Sequence, residues 1–435
     1  MGKLFKWLNN LSIFRGLSEK EFSWVLYDVG NSAYTMLACS LIPIWFKNIA
    51  VGTNPGQISD DRATALWATA ISIVTIIVAL IGPAIGAIAD HKDKKKAIFT
   101  TSVAAGVIGC IINGFVNFWL IFLIIFALTK IFYSVSLTVY DSMLNDVTVE
   151  DRFDEVSSYG YAWGYIGSCI PFLLALVAFA ISGGIVSLIP EIVGKIIGFA
   201  ITGVWWLIVT LPLIKGYTQE NYSTVHKHEI SQIFKHIFQT FKKIITKDKK
   251  VALFLLSFFL YIDGVGTIID NCTNIGTNLG LDQVGLVILL LGTQVVAWIF
   301  SLIFAKLSKK YETVTLLLVC IAGYFCVSLY ALTLKNLLSF GILAFMVGMF
   351  QGSIQSLSRS YFTKIIPAEH SGEYFGIYDI FAKGASFLGS GVIAAVKFAG
   401  GTINVAVALL AIFFFLGFVF LVLADKYKKE NKEVA

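Results

Sequence analysis

Long apolar segments alternate with short polar connections along almost the whole chain. Each segment has the roughly 20 residues that a helix needs to cross the hydrocarbon core of a membrane. The pattern therefore predicts an all-α polytopic membrane protein with twelve transmembrane helices, which we number spans 1 to 12. We place them at residues 22–47, 65–89, 97–117, 119–140, 158–182, 192–214, 251–275, 283–305, 314–334, 337–358, 374–398 and 403–424.

The composition indicates a lipid environment rather than water. Of the 435 residues, 57% are hydrophobic and only 14% are charged, and the mean hydropathy is +0.80. Soluble chains carry about 25% charged residues. The six cysteines lie inside apolar segments without a CxxC pair or a Cys/His cluster, so neither a disulfide framework nor a zinc site is predicted. The N-terminus lacks the features of a signal peptide, and we expect span 1 to direct insertion.

The basic residues are concentrated in alternate connections. One side of the predicted bundle carries 26 lysines and arginines and the other carries five, while Lys130 and Lys383 lie within spans. By the positive-inside rule both termini are cytoplasmic, which requires an even number of spans. Short loops and the lack of a targeting extension favour a bacterial plasma membrane, with a vacuolar membrane as the alternative.

The longest polar connection, residues 215–250, divides the chain into two halves of six spans at residues 1–214 and 251–435. Each half opens with a similar segment, YDVGNS at 27–32 and YIDGVGT at 261–267. Internal repeats of this kind are typical of transporters whose substrate site lies at the midplane between the halves.

The same connection contains apolar residues that repeat at helical spacing between Ile230 and Ile245, with lysines on the remaining face. This pattern predicts an amphipathic helix on the inner leaflet. A structural strut is the favoured role, and a site for regulatory partners is the alternative.

Several ionisable and polar side chains lie within the predicted spans. A charge near the centre of a span costs about 2.5–3.5 kcal/mol, so each must face a water-filled cavity or a partner. The mixture of acids and bases suits a zwitterion such as an amino acid. The candidate substrate-binding or coupling residues are Asp28, Asn31, Lys130, Asp263, Asp270, Gln351, Gln355, Tyr378, Asp379 and Lys383.

Structural roles remain open for several of these residues. Asp28 either binds a solute ammonium or a proton, or it is a packing residue near the cytoplasmic edge. Lys130 needs an anionic partner, for which Asp28 or Asp263 would serve. Asp263 is the preferred coupling residue, whereas Asp270 either lines the site or reaches the outer interface. The spacing of Asp379 and Lys383 also allows a self-satisfied pair along span 11.

The connection between spans 2 and 3 reads GPAIGAIADHKDKKK and contains a candidate gating latch formed by Gly86, Asp90, Lys94 and Lys95. Gly86 permits close helix contact, and Asp90 either pairs with basic groups or caps a neighbouring helix. The simpler interpretation is a helix stop followed by positive-inside charges. The segment resembles the loop signature of the major facilitator superfamily, in which a glycine usually stands at the position of Asp93.

Three further segments carry a closer resemblance. These segments are the one that begins YDVGNSAYTML in span 1, YDSMLNDVTVEDRFDEVSSYGYAWGYIGS after span 4, and the one that begins QSLSRSYFTKIIPAEHSGEYFGIYDIFAKGAS across spans 10 and 11. Together they are similar to the vacuole-effluxer-like permeases, a facilitator branch that includes autophagy-related vacuolar amino-acid exporters. The resemblance implies the facilitator fold and export or exchange of small organic solutes. Val29 differs from the tryptophan usual in this branch, and Lys130 stands where many facilitators carry a buried arginine.

No protease, hydrolase or nucleotide-binding motif occurs in the sequence, which argues against an enzyme and against an ATP-driven pump. We predict no cofactor, catalytic residue, metal site or nucleic-acid partner. The predicted function is secondary transport by a monomer, driven by a proton or another coupling ion. A lipid or lysolipid flippase on the same fold and a non-transporting receptor or scaffold remain as alternatives.

Overall fold

A computed structural model describes residues 16–53, 56–183, 186–224, 230–278, 280 and 283–433. Within these residues, twelve helices are long and apolar enough to span a membrane, which confirms the predicted fold. Spans 1 to 6 are Glu19–Ala50, Asp60–Ala89, Lys94–Phe115, Trp119–Ser142, Phe153–Ile181 and Glu191–Gly216. Spans 7 to 12 are Lys249–Asn278, Gln283–Leu307, Thr313–Tyr330, Leu337–Ile365, Ser371–Phe398 and, in two parts, Ile403–Leu409 and Ala411–Glu433.

Short helical turns and one longer helix complete the described structure. The turns are Leu144–Val147, Glu150–Arg152, Ala331–Thr333 and Ala368–His370. The longer helix, Ile230–Thr246, lies in the central connection and packs against spans 2 and 7. We call it the linker helix.

Two hydrophobic cores lie on either side of this connection. The first core draws its buried residues from between Leu17 and Tyr217 and includes Trp24 and Trp206. The buried residues of the second core lie between Ile244 and Leu421.

One hydrogen bond occurs at the same place in both halves. The Tyr27 hydroxyl of span 1 lies 2.6 Å from the Ser136 hydroxyl of span 4, and the Tyr261 hydroxyl of span 7 lies 2.6 Å from the Ser358 hydroxyl of span 10. The first and fourth helices of each half are therefore joined in the same way, as the sequence repeat implies.

The halves meet most closely at the end of the bundle that carries the 2–3, 4–5, 8–9 and 10–11 connections, which we call the basic end. Spans 2 and 11 approach backbone to backbone there. A Cβ atom at Gly86 would lie 2.0 Å from the Gly372 carbonyl oxygen, and one at Gly376 would lie 2.4 Å from Pro83 Cα. Only glycine fits at these contacts, because a real Cβ would overlap the facing main chain.

Candidate functional site

A buried charge cluster joins the two halves near the basic end. Arg359 of span 10 is only 2% exposed and forms ion pairs with Asp28 of span 1 (Nη2–Oδ2, 3.1 Å) and Asp141 of span 4 (Nη1–Oδ1, 3.0 Å). Its Nε donates a hydrogen bond of 2.9 Å to the Ser157 hydroxyl of span 5. Asn31 donates a hydrogen bond of 3.1 Å to the other oxygen of Asp28. Each nitrogen of the guanidinium thus has a partner, as a buried cation requires.

Aromatic rings of the first half enclose the same guanidinium. Its Cζ lies 4.5 Å from the ring centroid of Trp24, 4.6 Å from that of Tyr161 and 5.5 Å from that of Tyr140. These distances are within the range of cation–π attraction. Gly160 leaves the space for the ion pair, since a Cβ there would lie 2.2 Å from the Asp28 carboxylate.

Asp263 of span 7 is surrounded very differently. It is fully buried, and among the described residues neither of its carboxylate oxygens has a hydrogen-bond partner. The hydroxyl of Thr267, one turn further on, also has none. Both side chains face span 11 at Gly389, where a Cβ would lie 2.0 Å from Thr267 Oγ1 and 2.9 Å from Asp263 Oδ2. Burial of an unpaired carboxylate anion is costly, so this group favours a bound proton or another cation.

Polar side chains of both halves share a central space beyond the Arg359 cluster. Along span 1, Asp28 is buried, Thr35 is half-buried and Cys39 is exposed. Lys130 of span 4 and Asp270 of span 7 act electrostatically on the Cys39 thiol. Lys383 of span 11 acts in the same way on Lys130. Charged groups from three spans, 4, 7 and 11, therefore surround this space.

Asp379 of span 11 connects the central space to the first half. Its carboxylate accepts hydrogen bonds from the Thr138 hydroxyl of span 4 and from Lys383, whose Nζ lies 2.8 Å away. The pair along the helix is present, but it also bridges the halves.

The three remaining candidates on spans 10 and 11 differ in their surroundings. Gln351 lies close to the Tyr165 side chain of span 5, which packs against the neighbouring Gly352 across the interface between the halves. Gln355, one turn further along span 10, is half-buried. The Tyr378 ring stacks on Phe258 with centroids 4.1 Å apart, and only 7% of the residue is exposed. Tyr378 therefore belongs mainly to the second hydrophobic core.

The predicted pairing of Lys130 with Asp28 or Asp263 is wrong. The Thr35 hydroxyl contacts the Tyr133 hydroxyl, which places Lys130 near the level of Cys39. That position is about 11 residues beyond Asp28, or roughly 16 Å along a helix. The Lys130 ammonium instead lies 5.1 Å from the ring centroid of Tyr133.

The latch candidates form a compact seal at the basic end. Both oxygens of the Asp90 carboxylate accept backbone hydrogen bonds at the start of span 11, from Gly372 at 2.7 Å and from Glu373 at 2.9 Å. Burial raises the pKa of Asp90 to about 7, although Lys95 and the two amides act in the opposite direction. Lys95 is fully buried and binds Asp146 at 3.2 Å, whereas Lys94 is exposed.

A turn with unusual backbone geometry connects Asp90 to Lys95. Asp93, at the position where facilitators usually have glycine, has a φ of 62°. This left-handed conformation favours glycine, although aspartate tolerates it better than most residues.

A second seal lies between span 5 and the second half. Asp154 accepts hydrogen bonds from Lys364 at 2.7 Å, from Thr313 at 2.6 Å and from Ser360 at 2.5 Å. Lys309 pairs with Glu155 at 2.8 Å. The sequence analysis did not single out these residues.

Arg359 and Asp141 were also missed as site residues. The predicted spans 4 and 10 end at residues 140 and 358, whereas the helices continue to Ser142 and Ile365. Arg359 was therefore counted among the basic residues of a loop. The small polar residues around it, in SLSRSYF, are the available signal of a helix that faces protein rather than lipid.

Comparisons with known proteins agree with this architecture. The family model described as "Vacuole effluxer Atg22 like" matches residues 145–434. A Bacillus subtilis protein called "Uncharacterized MFS-type transporter YxiO" is 38% identical over 412 residues, which cover 94% of this chain and 95% of the relative. Autophagy-related protein 22-1 of Neosartorya fischeri is 26% identical over 309 residues, which cover 64% of this chain and 49% of that protein.

Solved structures show the same fold at low sequence identity. The major facilitator superfamily transporter FucP in its outward conformation has a TM-score of 0.71 and 13% identity, with 93% of this chain and 98% of that chain covered. The proton:xylose symporter XylE, bound to 6-bromo-6-deoxy-D-glucose, also has a TM-score of 0.71 and 13% identity, with 95% and 96% covered.

Proposed function

This chain belongs to the Atg22-like vacuole effluxer family of major facilitator transporters, and from that premise we propose that it moves a small zwitterionic solute, such as an amino acid, across the membrane by alternating access. In this mechanism the two halves rock about a central site, which opens first to one side of the membrane and then to the other.

The observation that carries the proposal is the mixed charge of the central space. The first half supplies the cation of Lys130. The second half supplies the Asp379–Lys383 pair on span 11 and the carboxylate of Asp270 on span 7. An amino acid carries an ammonium and a carboxylate on one carbon atom, so opposite charges on opposite walls orient it. A purely cationic solute fits less well beside two lysines.

The direction of access follows from the seals. In this conformation Asp90, Lys95 and Arg359 each bond the first half to the second at the basic end, Lys95 through a hydrogen bond of 3.0 Å to the Ser371 hydroxyl of span 11. We assign the basic end to the cytoplasm by the positive-inside rule, and the plasma membrane of a bacterium as the location. The conformation is then outward-facing, and the seals are the contacts that must break before solute exchanges with the cytoplasm.

Energy for transport comes, in this proposal, from a proton gradient. Asp263 is the coupling residue, because a buried carboxylate without a protein cation favours a bound proton.

Counterflow in proteoliposomes tests the substrate class. Liposomes containing the purified protein are preloaded with single amino acids, dipeptides or lysolipids, and uptake of the matching labelled compound is measured. We expect counterflow with at least one amino acid, reduced at least tenfold by Lys130→Gln. Lys335→Gln, at an exposed lysine outside the central space, is the matched control and should leave counterflow unchanged. Exchange of lysolipids alone would contradict the proposal and favour a flippase.

A further inference from the structure

Within the described residues, every hydrogen-bond, ion-pair and cation–π partner of the Arg359 guanidinium lies in the other half of the protein. Its two carboxylates, Asp28 and Asp141, lie on spans 1 and 4. The three aromatic rings around it come from spans 1, 4 and 5, and the hydroxyl of Ser157 comes from span 5. Arg359 is the part of this arrangement that span 10 supplies.

The site has its own internal bonds, which do not involve Arg359. Trp24 and Tyr140 stack with their centroids 4.5 Å apart. The Trp24 indole donates a hydrogen bond of 3.2 Å to the Tyr140 carbonyl, and the Tyr140 hydroxyl donates one of 3.1 Å to the Trp24 carbonyl. Asn31 separately holds Asp28. Since these bonds all lie within the first half, the site can persist when the two halves separate.

Separation of the halves at the basic end withdraws Arg359 and leaves two acidic side chains against an aromatic wall. A buried charge that loses its partner costs several kcal/mol, and a replacement cation offsets that cost. We propose that this site binds the ammonium or guanidinium group of the solute from the basic side, in the place that Arg359 occupies when that end is closed. The inference rests on the proposed transport function and adds a second, gated position to its pathway.

The chemistry of the walls selects the class of cation. Aromatic faces attract organic ammonium and guanidinium groups, and a guanidinium is more weakly hydrated than a compact ammonium and pairs with two carboxylates. The solute and Arg359 then compete for the same place, so binding at the basic side favours the conformation in which that end is open.

Binding of methylguanidinium to the purified full-length protein tests the proposal, with methylurea as the neutral probe of the same shape. We expect Arg359→Ala to bind methylguanidinium saturably and at least tenfold more tightly than the wild type, and to bind methylurea no better than the wild type does. Adding Asp28→Asn and Asp141→Asn should abolish this binding. Adding Asp61→Asn instead, at an exposed carboxylate at the opposite end of span 2 from the basic end, should preserve it.

The proposal is overturned if Arg359→Ala shows no saturable binding of methylguanidinium, or if binding survives the loss of both carboxylates. Because these assays require no transport, their failure is distinct from a failure of amino-acid counterflow.

A second measurement keeps Arg359 in place, in case its removal prevents folding. Spin labels at Lys94→Cys and Glu312→Cys, two exposed positions in opposite halves at the basic end, report the opening of that end. The exposed Cys39 and Cys326 are replaced by serine. Methylguanidinium should shift the distance distribution to longer values, whereas methylurea should not. Opening by acid alone, with no effect of methylguanidinium, would assign the site to protons and overturn the proposal.

Discussion

Asp28 and Asp263 both lie in the first helix of a half, close to a tyrosine that makes the same hydrogen bond to a serine, but Asp28 directly follows Tyr27 whereas Asp263 lies two residues after Tyr261. Their surroundings are opposite. Asp28 binds Arg359 from the other half and an asparagine from its own, whereas the oxygens of Asp263 have no hydrogen-bond partner in the part of the chain that the structure describes. Since one residue turns a helix by about 100°, the two carboxyl groups point in different directions. One joins the halves, whereas the other faces span 11 at Gly389.

The strongest test of this comparison is Asp28→Asn. It leaves Arg359 with one carboxylate instead of two, and breaking a buried ion pair costs about 3 kcal/mol. We expect a clear fall in the thermal midpoint of the purified protein and a more open basic end. Combining Asp28→Asn with Arg359→Gln should lower the midpoint further, because Asp141 then loses its cationic partner. An unchanged midpoint in the single variant would contradict the structural role of Asp28.

Asp263→Asn should behave in the opposite way. An amide keeps the shape of the side chain without the charge, so we expect a change in stability below about 1 kcal/mol. Uptake driven by a pH gradient should fall at least tenfold, while counterflow without a gradient continues. Asn271→Ala, two turns along the same span, is the control for general effects on span 7. Full gradient-driven uptake by Asp263→Asn would remove the case for proton coupling at this residue.

Asp90 is a third buried carboxyl group, and its oxygens accept hydrogen bonds from backbone amides. Its pKa of about 7 in the folded protein lies above the ordinary value of 3.8, so the folded state binds the proton more tightly. Stability should therefore fall as the pH rises between about 4 and about 7, by about 1 kcal/mol per pH unit. Thermal midpoints at pH 5 and pH 7 measure this, and Asp90→Asn should flatten the dependence. An equal slope in both proteins would assign it to other groups.

Asp93→Gly gives the smallest expected effect. Glycine adopts a φ of 62° without strain, so the substitution should stabilise the protein by about 0.5 kcal/mol. Asp93→Ala should destabilise it slightly, because alanine adopts a positive φ less readily than aspartate does. A thermal midpoint that falls with glycine and rises with alanine would refute the argument.

The fold was predictable because lipid imposes a simple rule on the sequence. Every spanning helix must show a long apolar run, and the twelve runs in the sequence correspond to the twelve helices. The ends of the helices were less predictable. A hydropathy pattern ends a predicted span at the first charged residue. Spans 4 and 10 nevertheless continue past Tyr140 and Ser358, because Asp141 and Arg359 neutralise each other inside the protein.

The polar residues of the site were identified as a set, but their partners were not. Asp28, Lys130 and Asp263 were singled out because isolated charges are costly in lipid. Which charges meet depends on the depth and rotation of helices far apart in sequence, and a single chain does not show these. The local Asp379–Lys383 pair followed from helix spacing, whereas the contact between Asp28 and Arg359, separated by 331 positions, did not.

The glycine contact between spans 2 and 11 suggests a way to trap the protein in a conformation in which the basic end is open. At this contact two backbone segments pack directly on each other, so they can separate without a change of side-chain rotamer. The contact leaves no room for added atoms, since even a methyl group at Gly86 would overlap the Gly372 carbonyl. Alanine or valine at Gly86 would act as a wedge that the closed form cannot accommodate. Such a variant is a reagent for raising antibody fragments against the conformation that is open at the basic end and for imaging that conformation directly.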